Sequence, residues 1–138
     1  MNTFINPTRE QFSEMMKLPD DGAVHMLNLV RLRDRAAYTD GRDASGAEAY
    51  KAYGAASGPI FKRVGGRIVW SGSMKFMLIG PDDKQWDIAF IAEYPSAGAF
   101  AQMITDPEYQ KAVAHRDAAV EDSRLIRMHP NRAGDQFG

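Results

Sequence analysis

The stretch from Trp86 to Tyr94 (WDIAFIAEY) is apolar on both faces that a strand would present, Ile88, Phe90 and Tyr94 alternating with Ala89 and Ile91. The stretch from Arg67 to Ile79 (RIVWSGSMKFMLI) does the same, with Val69, Met77 and Ile79 alternating with Trp70, Phe76 and Leu78. Successive side chains of a strand point to opposite faces, so a sheet with one wet face alternates apolar with polar residues. These strands break that pattern. A sheet built from them needs cover on both sides, and the helices elsewhere in the chain decide what supplies it.

Turn and cap signals divide the rest. Asn6-Pro7-Thr8 opens a segment with Phe12, Met15 and Met16 on one helical face, closed by Pro19-Asp20-Asp21-Gly22, which predicts a leading helix over residues 7–18. Val24 to Leu32 (VHMLNLVRL) is apolar, short and bounded by breakers, and reads as the first strand. Arg33 to Ala44 is polar, contains Asp40-Gly41, and reads as a long loop. Ser45 and Glu48 have capping-box spacing, and Tyr50, Tyr53, Ser57, Ile60, Phe61 and Val64 follow at helical intervals up to Gly65-Gly66, with a kink expected at Pro59. Ile68, Trp70, Met74, Phe76 and Leu78 are expected on one face of a second strand over 67–79. Gly80-Pro81-Asp82-Asp83 then turns the chain into a returning strand over 86–94. Ser96 caps a short helix, and Asp106-Pro107 starts another whose inward stripe is Tyr109, Ala112, Val113, Arg116 and Val120. Ser123 to His129 is the last strand, and a loosely ordered tail is expected over 131–138.

The order is a helix followed by β-α-β-β-α-β, an α+β, ferredoxin-like arrangement of a four-stranded antiparallel sheet with its main helices on one face. Two helices cover one face, so the simplest cover for the other is a second copy packed about a two-fold axis, making a homodimeric α+β barrel. At 138 residues one domain over 1–138 is expected, its core at 24–129.

Composition sets limits on partners. With 17 basic and 18 acidic residues, the formal charge of -1 provides no basic field for nucleic acid. The absence of cysteine removes disulfides, thiolate metal sites and thiol nucleophiles, and favours a cytoplasmic setting. No export signal or membrane span is read from the sequence.

VHMLNLVRLRDRAAYTDGR, SGAEAYKAYGAASGPIFKRVGGRIVWSG, WDIAFIAEYPSAGAF and DPEYQKAVAHRDAAVEDSRLI together resemble the uncharacterised bacterial domain family DUF1330, over about residues 24–128. YPSAGAF, DPEYQKA and HRDAAVEDSRLI carry most of that likeness. The resemblance implies a dimeric α+β barrel and brings no reaction with it. The wider group of such barrels includes small monooxygenases, isomerases, haem enzymes and sensor domains, so the fold selects no chemistry.

Candidate chemistry rests on scattered residues. His25, His115 and His129 lack metal-ligand spacing, so no metal is expected, and His115, beside the inward Arg116, belongs at the edge of its helix stripe, hydrogen-bonded or solvated. Arg116 interrupts an apolar stripe and must be paired, Glu93 being the best partner and Glu121 or Asp122 the alternatives; otherwise it anchors a ligand carboxylate. Asn28, central in an apolar strand, satisfies nearby backbone or orients a substrate oxygen. Tyr50, Tyr53 and Trp70 are expected to line the gap between helices and sheet, as core or as pocket wall. No phosphate-binding glycine loop or nucleophile elbow is present.

The expected function is action on a small organic molecule without metal or nucleotide cofactor, by oxygenation of an activated ring (monooxygenase-like) or isomerisation through proton transfer. Glu93 or His115 would be the base, with Asn28 and Arg116 holding an oxyanion. The alternatives are a non-catalytic ligand-binding or stress-associated module and a purely structural dimer with a filled interior.

Overall fold

A computed structural model describes residues 2–137. Thr8 and Gln11 form a reciprocal capping box that opens α1 (Arg9–Met16), and Ser45 and Glu48 do the same for α2 (Gly46–Arg63). Helix α2 continues without a break through Pro59 and ends at Gly65, whose φ of +88° closes the last turn. Ser96 caps α3 (Ala97–Ile104), and Asp106, accepting from the N–H groups of Glu108 and Tyr109, caps α4 (Pro107–Ala119).

The strands are β1 (Val24–Leu32), β2 (Arg67–Gly72), β3 (Ile88–Tyr94) and β4 (Val120–Met128), in the antiparallel order β2-β3-β1-β4. This is the expected ferredoxin-like α+β fold. Val24 and Met26 of β1 and Ala92 and Tyr94 of β3 face the helices, where they bury with Ile60, Phe100, Met103 and Tyr109, while Val30 buries with Ala49, Ala119 and Val120. Phe12 and Met15 of α1 pack against the same core.

The residues of opposite parity, His25, Leu27 and Leu29 on β1 and Ala89, Ile91 and Glu93 on β3, lie on the other face. There they align with Trp70 of β2 and with Ile126 and Met128 of β4. No helix among the described residues covers this face, on which Trp70 is 53% exposed and Met128 46%.

Three expectations need correcting. The second strand ends at Gly72, so residues 73–79 form no ladder in this chain, and the returning strand starts at Ile88 instead of Trp86. A register shift between Ile68 and Trp70 puts Ile68 opposite helix-facing Ala92 and Trp70 opposite Ile91, so the two do not share a face. Val120 belongs to β4, not to the stripe of α4. The tail past Met128 has no helix or strand, and Gly138, the last residue of the expected loose tail, lies outside the described residues.

Gly46 fixes how the long loop enters α2. Its N–H donates to the Asp34 carbonyl at 3.4 Å, and a Cβ at this position would sit 1.9 Å from the Arg33 carbonyl oxygen, a backbone atom that cannot swing away. Gly46→Ala should lower the melting temperature by roughly 5–10 °C, measured by circular dichroism. A change within error would show that the loop is not held against the helix.

Candidate acid/base site on the open sheet face

His25 and Glu93 are directly opposite in the β1/β3 ladder, and Glu93 is opposite Arg67 in the β2/β3 ladder. Parity places all three on the open face, and cross-strand neighbours are close enough for their side chains to meet. His25 Nε2 lies 2.7 Å from Glu93 Oε2, and Arg67 Nε donates to Glu93 Oε1 at 2.8 Å. The His25 and Glu93 side chains are 20% and 24% exposed. Hydrogen bonds from His25, and after it from Arg67, hold the Glu93 carboxyl below the usual carboxylate range.

An ionised carboxylate only accepts, so in this contact His25 Nε2 is the donor, and Nδ1 makes no hydrogen bond among the described residues. Glu93 has both oxygens engaged and a lowered proton affinity, which suits it to orienting an imidazole and not to abstracting a proton. Leu27, Ile91, Trp70 and Met128 surround the group on the same face. The result is a fixed carboxylate, an oriented imidazole and an apolar platform beside them.

Of the other expected site residues, Trp70 shares this face, and Asn28, Tyr53, His115 and Arg116 are on the opposite side of the sheet. Arg116 does not meet Glu93: its guanidinium donates to the Ile5 carbonyl at 2.5 Å and to Ser123 Oγ at 3.3 Å. Glu121 pairs with Arg31 at 2.9 Å, and Asp122 with Lys84 and Arg124. Arg116 therefore ties the N-terminal segment to α4 and β4, a role with no signal in sequence because its partners are a backbone carbonyl and a serine. Asn28 donates from Nδ2 to the Met26 carbonyl at 3.0 Å, the expected backbone partner. The Tyr53 and Tyr109 hydroxyls are 2.8 Å apart, and burial pushes the phenols of Tyr50, Tyr94 and Tyr109 up. His115 Nδ1 lies 2.5 Å from the hydroxyl of Tyr38 in the long loop. Asn28, Tyr53, His115 and Arg116 thus face the helix layer while Glu93 and Trp70 face away, so the six do not line one pocket.

A polar hollow of about 300 Å³ opens where β1 leaves the sheet, lined by Arg31, Leu32, Asp34, Gln85, Asp87 and Glu121. It contains none of the expected site residues. Among the described residues no three His, Asp or Glu side chains converge as a metal site, and no helix is long and apolar enough to cross a membrane.

The lowered Glu93 carboxyl favours the folded state while it is ionised. That contribution is complete above the unfolded-state value of 4.5 and is lost as the pH falls through the lowered folded value. The melting temperature of wild type should therefore exceed that of Glu93→Gln at neutral pH, with the difference narrowing as the pH drops below 4.5. A difference independent of pH would contradict the pairing.

The comparisons with known proteins bear on the fold and the family. The chain is similar to the RPA0582 protein of Rhodopseudomonas palustris, a protein of unknown function, whose methylated form is 58% identical, with TM-score 0.94 over 98% of this chain and 100% of that one. Two distant structures share the fold. They are SnoaB, a cofactor-independent oxygenase from Streptomyces nogalater (16% identity, TM-score 0.54, 81% of this chain and 96% of that one), and a dimeric ferredoxin-like protein of unknown function from Bacteroides fragilis (17%, 0.50, 80% and 98%). No curated protein matches the sequence. The family described as a domain of unknown function, DUF1330, matches residues 41–128, and the chain belongs to it.

Proposed function

We propose that this protein is a homodimer that moves a proton on a small organic molecule held against its open sheet face, with His25 as the acid/base and Glu93 as its positioning carboxylate. The observation that carries this reading is the 2.7 Å contact between Glu93 and His25 Nε2, which leaves Nδ1 without a hydrogen-bond partner among the described residues, on the face that also carries Leu27, Met128 and Trp70. A base pre-oriented in an apolar setting needs no reorganisation when it takes a proton from carbon or from a phenolic oxygen. Proton removal of this kind is the shared first step of isomerisation and of oxygenating an activated ring. The oxygenase from Streptomyces nogalater shows that the fold accommodates cofactor-independent chemistry, without selecting it here.

The charges on the open face support assembly with a second copy. Glu93 pairs with Arg67, Glu121 with Arg31, and Asp122 with both Lys84 and Arg124, which leaves one cation in excess at Asp122. The paired groups beside the apolar centre reduce what a partner must desolvate unpaired. Two such faces packed together would enclose the His25 groups in a shared interior, and the dimeric relative from Bacteroides fragilis supports this reading.

A direct test uses 2-tetralone, a flat carbon acid, as probe. Its α-protons should exchange in deuterated buffer faster with the protein than with the same concentration of imidazole, followed by proton NMR. His25→Ala should remove about 10²–10⁴-fold of the rate, and Glu93→Gln about tenfold. Exchange no faster than with free imidazole, or unchanged in His25→Ala, would overturn the acid/base assignment.

A further inference from the structure

Arg67 and Trp70 are three residues apart on β2, a spacing that puts side chains on opposite faces of a regular strand. The register shift between Ile68 and Trp70 cancels that alternation, setting Arg67 opposite Glu93 and Trp70 opposite Ile91, both on the open face. Arg67 donates only from Nε, to Glu93 Oε1 at 2.8 Å. Its two terminal amino groups have no partner among the described residues, and the side chain is 70% exposed. Arg116, for which the sequence allowed the role of carboxylate anchor, is occupied by Ile5 and Ser123 instead.

Trp70 has a seat of its own. A Cβ at Gly72 would come within 3.0 Å of Cζ2 and 3.1 Å of Cη2 of the indole, so the six-membered ring folds along the strand and rests over the Gly72 backbone. A methyl group at residue 72 would crowd that ring, and a branched side chain would displace it. The ring stays half-exposed, with its outward side open. An indole fixed in this way is a stacking surface, and a guanidinium with its terminal amino groups free is a planar donor that matches a carboxylate. His25 belongs to the same group, since Arg67 and His25 contact the two oxygens of one Glu93 carboxylate.

We infer that the open face takes a flat aromatic carboxylate, its ring stacked on Trp70 and its carboxylate on the terminal amino groups of Arg67. This rests on the acid/base reading proposed above and names its substrate class. A molecule held at both ends has its plane and its direction fixed on the face that carries the His25 imidazole, which is the positioning that proton transfer needs. Arg67 then selects for negative charge, and Gly72, by seating Trp70, selects for flatness.

Calorimetric titration of the purified protein with 2-naphthoate and with its neutral counterpart 2-naphthamide separates charge from shape. The carboxylate should bind about tenfold more tightly than the amide. Arg67→Gln should weaken 2-naphthoate by about that factor, to the level of the amide, whereas Gly72→Val should weaken both ligands alike and keep their ratio. Equal binding of the two ligands by wild type, or no binding, would overturn the inference before any variant is made. A ratio unchanged in Arg67→Gln, or affinities unchanged in Gly72→Val, would overturn it as well. Binding is read without turnover, so the two readings fail separately. An Arg67-dependent preference without exchange of 2-tetralone would leave the ligand site standing and remove the acid/base role, and exchange without the preference would do the reverse.

Discussion

Everything distinctive about this molecule follows from a sheet that is apolar on two faces and has helices for one. On the helix side the core closes within the chain, Val24, Met26, Ala92 and Tyr94 burying against α2, α3 and α4. On the other side Trp70, Leu27, Ile91, Ile126 and Met128 form a platform with no cover of its own. Covering that platform removes large apolar side chains from water, the dominant favourable term in association. Glu93 with Arg67 and Glu121 with Arg31 are paired within the chain, which lowers the cost of the step. The same platform carries the His25–Glu93–Arg67 group, so the proposed assembly and the proposed chemistry share one surface.

The two faces divide polar roles as well. Toward the helices, polar groups do structural work: Asn28 satisfies a carbonyl on its own strand, the Tyr53 and Tyr109 hydroxyls pair, Tyr38 meets His115, and Arg116 fastens the N-terminal segment. Toward the open face, both Glu93 oxygens are engaged, while one nitrogen of the imidazole it contacts has no partner among the described residues. That asymmetry is what the proposed acid/base role rests on.

Much of this was legible in the sequence. Ser45 with Glu48, Ser96, and Asp106-Pro107 marked three helix starts because capping chemistry is local, and the element order followed from turn residues. The apolar character of both sheet faces was legible in the two-sided strands. The end of β2 at Gly72 was not, because SMKFMLI alternates as a strand does and nothing in the segment itself says that it lacks a partner. The placement of Trp70 was not, because a one-residue register shift reverses every following side chain and leaves no mark in composition. The partner of Arg116 was missed for a different reason, since a carbonyl at Ile5 carries no side-chain signature. His25 could have been found: it shares parity with Leu27 and Leu29, as Glu93 does with Ile91, and an antiparallel pairing of β1 with β3 makes the two candidates for contact.

The central claim is that the open face is buried by a second copy. Native mass spectrometry of the purified chain, diluted stepwise through the micromolar range, measures this most directly. The account predicts a species of twice the chain mass that persists on dilution and falls to the chain mass when Trp70 and Ile126, both half-exposed on the platform, are replaced by glutamate. A wild-type chain that flies as a monomer throughout, or a double variant that dimerises as tightly as wild type, would contradict it.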